Sequence, residues 1–295
     1  MKPWIRKGCF ACVGVGALGL LIALVLGGTF LIQHLSESTE ETRLTQEIGP
    51  SPAGAPSERP GAVVLSVSSA AVLVRAGPPG GPIRVESDFD PDIFSLEQSY
   101  EEDEAGVWSY RVDFHEKTVL HVSVVSIWLG KRSPEVRITL PRDVPLSLDA
   151  QMRGGYLLLD LAGLELIAAN IELDRGVLGV DVSEPLATPV ERISLKGRIG
   201  TMHLRSLGNA SPKELHVQHE VGAALVDLGG MWAADADVDF QATMGNIELR
   251  LPRGVNIEGL DGNALRLSNT ADEEIPRPTL RISTDSNLAN IRVID

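Results

Sequence analysis

Five glycines, Gly155, Gly176, Gly200, Gly222 and Gly245, each open a run of alternating apolar residues and stand 21, 24, 22 and 23 residues apart. Gly155 is followed by Leu157, Leu159 and Leu161, and Gly176 by Leu178, Val180 and Val182. Met202 and Leu204 follow Gly200, and Ala224, Val226 and Leu228 follow Gly222. Ile247, Leu249 and Leu251 follow Gly245. A second alternating pair precedes four of these glycines: Ile171 and Leu173, Ile193 and Leu195, Leu215 and Val217, Val238 and Phe240. Alternation of period two puts such side chains on one face of a strand, and a fixed period stacks like positions above one another. The expected fold is therefore all-β, a solenoid with coils of about 22 residues.

A second repeat supports the first. Leu140-Pro141-Arg142-Asp143-Val144 returns as Leu251-Pro252-Arg253-Gly254-Val255, 111 residues later and close to five periods. Proline has no ladder N–H, so each copy belongs at a strand end. Ala289 stands 44 residues after Gly245, or two periods, so the array is expected to reach the C-terminus. Aromatics make up only 4% of a chain that is 43% hydrophobic, so the core must be aliphatic. Such coils can be held by burial of about five aliphatic side chains each, at roughly 1.5–3 kcal/mol apiece, without metal or disulfide. Between Ala62 and Leu140 the strands are less regular, and this portion is expected to form the first coils or their cap. The acidic run Glu97 to Glu104 reads as an exposed loop; it lacks the spaced Asp/Asn and glycine of a calcium loop.

The N-terminus has another character. No charge occurs from Gly8 to Gln33, a length sufficient to cross a bilayer as a helix. Lys2, Arg6 and Lys7 precede this run, and Glu37, Glu40 and Glu41 follow it, which places the N-terminus in the cytoplasm. The expected organisation is a short cytoplasmic segment (1–9), one transmembrane helix (10–33), a Pro/Ser/Glu-rich disordered tether (34–61) and the solenoid (62–295). The solenoid would then lie outside the cytoplasm, in the periplasm or at the cell surface. Gly19, Ala23 and Gly27 share one face of the helix at a spacing that lets two helices approach, a route to homo-oligomers or to a membrane partner. Cys9 and Cys12 both precede residue 33, so the rest of the chain offers no disulfide or thiolate site. All 40 acidic residues and 23 of the 26 basic ones lie beyond residue 33, a net charge of −17 that argues against nucleic acid or anionic lipid as the partner.

The run from ITLPRDVPLSLDAQMRGGYLLLDLAGL through ERISLKGRIGTMHLRSLG and ELHVQHEVGAALVDLGG to DVDFQATMGNIELRLPRGV resembles the bacterial toastrack domain. That domain is shared by adhesin-like proteins and the C-terminal halves of cell-wall-active antibiotic response proteins. The matching features are the strand–glycine–strand repeat, the Leu-Pro corner before a new coil, and turns of the type Leu204 to Gly208. The resemblance covers residues 62–295 and is strongest over 136–258. It implies a right-handed, β-helix-like stack attached to membrane helices in the cell envelope, acting in assembly or stress signalling rather than catalysis. The antibiotic-response members carry several membrane helices where this chain has one.

Few residues suggest chemistry. His216 and His219 are spaced so that a strand turns them to opposite faces, so they cannot share a metal. His115, Glu116 and His121 have no serine or cysteine on a glycine elbow beside them. Asp160, Asp181, Arg205, Asp227 and Arg250 occupy corresponding outward places beside the apolar ladder, where alternating charges would pair across coils. No cofactor, metal or catalytic residue is expected. The reading is a non-catalytic, membrane-anchored envelope protein whose solenoid binds a protein or a cell-surface polymer as an adhesin-like or scaffold module. Two alternatives stand beside it: a stress-regulatory component acting through a membrane partner, and a carbohydrate-active β-helix enzyme. The enzyme would need paired carboxylates and aromatic sugar platforms, yet Trp108, Trp128 and Trp232 lie in separate segments.

Overall fold

A strand with one apolar face is stable only against partners that bury its edges, and here each partner lies one repeat away. The structure, a computed structural model, describes residues 44–48, 59–117, 133–260 and 277–294. Its strands begin with β1 (Leu44–Ile48), β2 (Gly61–Val67), β3 (Ala70–Ala76), β4 (Ile83–Asp88), β5 (Phe94–Glu102), β6 (Trp108–Glu116) and β7 (Glu135–Leu140). β8 (Leu146–Met152), β9 (Gly155–Asp160), β10 (Leu166–Asp181), β11 (Arg192–Arg205), β12 (Glu214–Asp227) and β13 (Ala236–Arg250) follow. β14 (Asn256–Glu258) and β15 (Thr279–Ile294) complete the described strands. Among the described residues no helix is long and apolar enough to cross a membrane. The expected transmembrane helix, with Gly19, Ala23 and Gly27, lies outside the described residues.

The strands form a mostly parallel, solenoid-like stack with two limbs per coil. The first limbs hydrogen-bond in the order β5-β6-β2-β8-β10-β11-β12-β13-β15-β14. The second limbs follow the order β1-β4-β7-β3-β9-β10-β11-β12-β13-β15. From β10 onward one long strand supplies both limbs and turns between them at the repeat glycine. Gly155, Gly176, Gly200, Gly222, Gly245 and Ala289 lie in one register, as their spacing requires.

That column explains why the glycines recur. At Gly200 the backbone takes φ +139°, and a Cβ there would sit 1.9 Å from the carbonyl oxygen of Gly176 in the coil below. Only glycine permits both the torsion and the approach. Ala289 closes the column in the last described coil, where φ is not positive. The inward residues named by the alternation, including Ile171, Leu178, Leu195, Leu204, Val217, Val226, Val238 and Leu249, are all buried. Leu140-Pro141 and Leu251-Pro252 close β7 and β13, as a residue without a ladder N–H should.

Both ends depart from simple winding. β2 and β3 come first in their region of sequence yet lie one coil inside β6 and β7. At the other end the start of β15 lies between β13 and β14. The N-terminal end is further covered by antiparallel strands, β4 on β7, β1 on β4 and β5 on β6. Two expectations change here. Leu44–Ile48, inside the expected tether, is a strand. Most of the acidic run expected as a loop belongs to β5, because Phe94, Leu96 and Tyr100 alternate toward the core while Glu97, Glu101 and Glu102 point to water.

This end is also rich in aromatic residues. Six of the chain's 13 lie between Phe89 and Phe114. Phe94 stacks on Phe114 with centroids 5.2 Å apart, Phe89 meets Phe114 edge-on at 5.4 Å, and Tyr100 stacks on Trp108 at 6.2 Å. A coil with no neighbour beyond it needs broad side chains to cover its open interior, and aromatics supply the largest area per residue.

Candidate functional site

Stacking in register places polar residues of successive coils in rows across the outer face of the first limbs. One row runs Arg192, Glu214, Asp237, Arg281 and Glu258. Arg192 Nη2 lies 2.6 Å from Glu214 Oε2, and Arg281 Nη1 lies 3.1 Å from Asp237 Oδ1. The next row holds Asn170, Ser194, His216, Asp239 and Ser283. His216 Nδ1 is 2.8 Å from Asp239 Oδ2, Ser283 Oγ donates to Asp239 Oδ1 at 2.7 Å, and Gln241 Nε2 donates to Asp239 Oδ2 at 2.9 Å. A shallow groove of about 600 Å³ runs over the first row and over His216, Asp239 and Ser283 of the second. Burial pushes the Asp239 carboxyl up, but the bonds from Ser283, Gln241 and His216 outweigh it and hold the group below its ordinary value.

The order of these groups decides their chemistry. The carboxylate stands between the serine and the histidine, so the Ser283 hydroxyl donates its hydrogen bond to Asp239 and the imidazole meets the carboxylate rather than the hydroxyl. Activating a serine nucleophile requires the histidine in the middle. The row is suited to hydrogen bonding and charge recognition.

The five outward residues singled out from sequence occupy corresponding positions. Asp160 pairs in register with Asp181, Asp181 with Arg205, and Asp227 with Arg250. The order is Asp, Asp, Arg, Asp, Arg, so the charges do not alternate throughout. Arg250 Nη1 reaches Asp227 Oδ2 at 3.7 Å. Asp181 is held above the ordinary carboxylate value, first by burial and then by Asp160 and Asp227, against Arg205 and the Val182 N–H. These carboxylates also close turns: Asp160 accepts from the Ala162 N–H at 3.2 Å and Asp227 from the Gly229 N–H at 2.8 Å. Asp160 and Asp227 thereby tie β9 and β12 to the turns that follow them.

No family model matches the chain, and no curated protein matches it. Among solved structures it is similar to a candidate cell adhesion protein from Clostridium sporogenes, at 13% identity over 86% of this chain and 99% of that one, with a TM-score of 0.39. It is also similar to a candidate adhesin from Bacteroides fragilis, at 11% identity over 86% of this chain and 98% of the other, with a TM-score of 0.36.

A second surface feature escaped the sequence reading. Ile199, Val221, Met244 and Leu288 lie in one register, and are 50%, 39%, 48% and 69% exposed. They form an apolar ridge along four coils, one residue before the glycine column. Arg198 lies beside it, bridging Asp174 at 3.2 Å and Glu220 at 3.5 Å. The signal was present in the sequence as a large apolar residue directly before Gly200, Gly222, Gly245 and Ala289, out of phase with the inward set. His216 and His219 do face opposite ways: His216 lines the groove and His219 is buried. Among the described residues no group of three or more His, Cys, Asp or Glu is placed to hold a metal ion.

Proposed function

We propose that this chain is a non-catalytic, membrane-anchored envelope protein whose coil stack binds an extended segment of a protein partner, as an adhesin-like or scaffold module. The observation that carries this reading is the ridge of Ile199, Val221, Met244 and Leu288, four large apolar side chains held in line and exposed. Contiguous exposed apolar surface rimmed by polar groups marks interaction sites. Coils stack at about 4.8 Å, so the ridge repeats at the spacing between neighbouring strands. The anchor is the uncharged run ending at Gln33, with the stack outside the cytoplasm. The coils wind right-handed in this reading, as parallel crossovers do.

Cross-linking of the full chain in host envelopes tests the proposal, with Val221→Asp and Met244→Asp as ridge variants and release of reducing ends from envelope glycan followed in parallel. A protein partner captured by the parent chain and lost from both variants is the expected result. Reducing ends that disappear on Asp239→Asn would replace this reading with the glycan enzyme. A partner kept by the ridge variants but lost when Gly19 and Gly27 become Ile would replace it with regulation through the membrane helix.

A further inference from the structure

The two ends of the stack are not equivalent. At the N-terminal end the outermost first-limb strand is β5, whose exposed Glu97, Glu101 and Glu102 discourage addition of a strand from another acidic chain. At the C-terminal end β15 pairs with β13 along its length but with β14 only over Thr279–Arg281. From Ile282 to Ile294 its outer edge has no strand partner among the described residues. We propose that this free edge is an interface between two copies of the chain, joined tail to tail by antiparallel pairing of β15 with itself.

The sequence of β15 fits its own reverse. The strand turns its corner at Ala289, and its inward set changes phase there. Before the corner Leu280, Ile282 and Thr284 lie in register with inward Ala236, Val238 and Phe240. After it Ile291 and Val293 lie in register with inward Ile247 and Leu249. A two-fold axis that bisects the corner exchanges the limbs, so inward residues meet inward ones only when an even-numbered residue pairs with an odd-numbered one. Centring the axis between Leu288 and Ala289 pairs Thr284 with Val293, Ser286 with Ile291 and Asn287 with Asn290.

The same register sets Asp285 opposite Arg292, once on each side of the axis. Both side chains are exposed, and neither has an ionic partner among the described residues. Moving the axis by one residue either way takes Asp285 away from Arg292, so the charges select one register. Leu288, 69% exposed, then sits beside the axis, and the ridges of the two copies run into one another. Because both copies use the same patch, the assembly closes as a dimer and does not grow into a fibre. Main-chain hydrogen bonds along the edge supply affinity as in other strand additions.

The test uses the full chain in mild detergent. Asp285→Arg and Arg292→Asp each replace two attractive pairs by repulsive ones, and each should weaken association in sedimentation equilibrium by about tenfold. The double exchange Asp285→Arg with Arg292→Asp should restore it. In a Cys9→Ser, Cys12→Ser background, Asn287→Cys and Asn290→Cys chains should form a disulfide when mixed and oxidised, and not when either is oxidised alone. Each variant is checked by its β-sheet circular dichroism, and one that fails is replaced by Asp285→Asn or Arg292→Gln, which should still weaken the dimer. Association unchanged by both single reversals, cross-linking as strong within a variant as between variants, or a parent chain that is monomeric throughout would each overturn the proposal. Loss of the ridge partner in envelope cross-linking would leave this dimer standing, so the two proposals fail separately.

Discussion

Two residues show how tightly the corner is specified. A side chain at Gly200 must accept φ +139° and find room where the Gly176 carbonyl already stands. Gly200→Ala should cost about 3 kcal/mol, seen as a lower midpoint in urea unfolding. Gly254→Ala, at φ +77° with open space around it, should cost about 1 kcal/mol. His219 stands under the same corner, 2% exposed, with neither ring nitrogen in a hydrogen bond of good geometry. Burial lowers its pKa, partly offset by the carbonyls of Gly197 and Gly200 and by Glu220. The unfolded chain takes up this proton near the ordinary imidazole value of about 6.5, while the folded chain resists it to lower pH. Its contribution is therefore intact above about pH 6.5 and is lost as pH falls below that value. Unfolding midpoints compared at neutral and mildly acidic pH should differ less in His219→Leu than in the parent, with His203, lowered in the same direction, contributing to the slope that remains.

The elements were legible in proportion to their regularity. Strands β9 to β13 follow from alternation around the repeat glycines, because an inward set of period two admits one register once like positions stack. β5 was hidden because its glutamates are as many as its apolar residues, and only the neighbouring β6 makes that alternation useful. The turns between coils carry specificity that no pattern announced. Asn209, in the short 3-10 turn Leu207–Ala210, donates from Nδ2 to the Val182 carbonyl at 2.8 Å and accepts the Met231 N–H at 3.0 Å. One amide thus joins the turns of three successive coils. Asn209→Ala should cost about 1–3 kcal/mol by leaving those backbone groups unmatched. Hydrogen exchange should rise at Met231 and in the turn after β10 before it rises in the strands.

At the scale of the molecule, stability is a sum of coils and of contacts between neighbours, so a damaged end need not unfold the middle. Trp108 is fully buried in the N-terminal cap, against Gly61 and stacked on Tyr100. Trp108→Ala should remove about 3–5 kcal/mol from that end. Exchange should then rise in β2, β5 and β6 while β11 and β12 keep their protection, and unfolding should separate into two steps.

By itself the sequence determined the period, the inward residues and the parallel coils of the central stack, because glycine spacing and alternation leave one way to bury those side chains in register. It also set the five outward Asp and Arg positions, though not their bonds to the turns. The order of coils at the two ends was decided only by the tertiary structure. Every coil presents nearly the same aliphatic interior to its neighbours, so β2 and β3 could stack outside β6 and β7 as well as inside by pattern alone. The aromatic packing of Trp108 and Phe114 and the antiparallel β4 and β5 choose between them. At the other end β14 pairs with β15 only over Thr279–Arg281, and no other described strand lies outside β15. An exposed ridge and a free edge are likewise properties of neighbours, set by what lies beside a strand in space rather than along the chain.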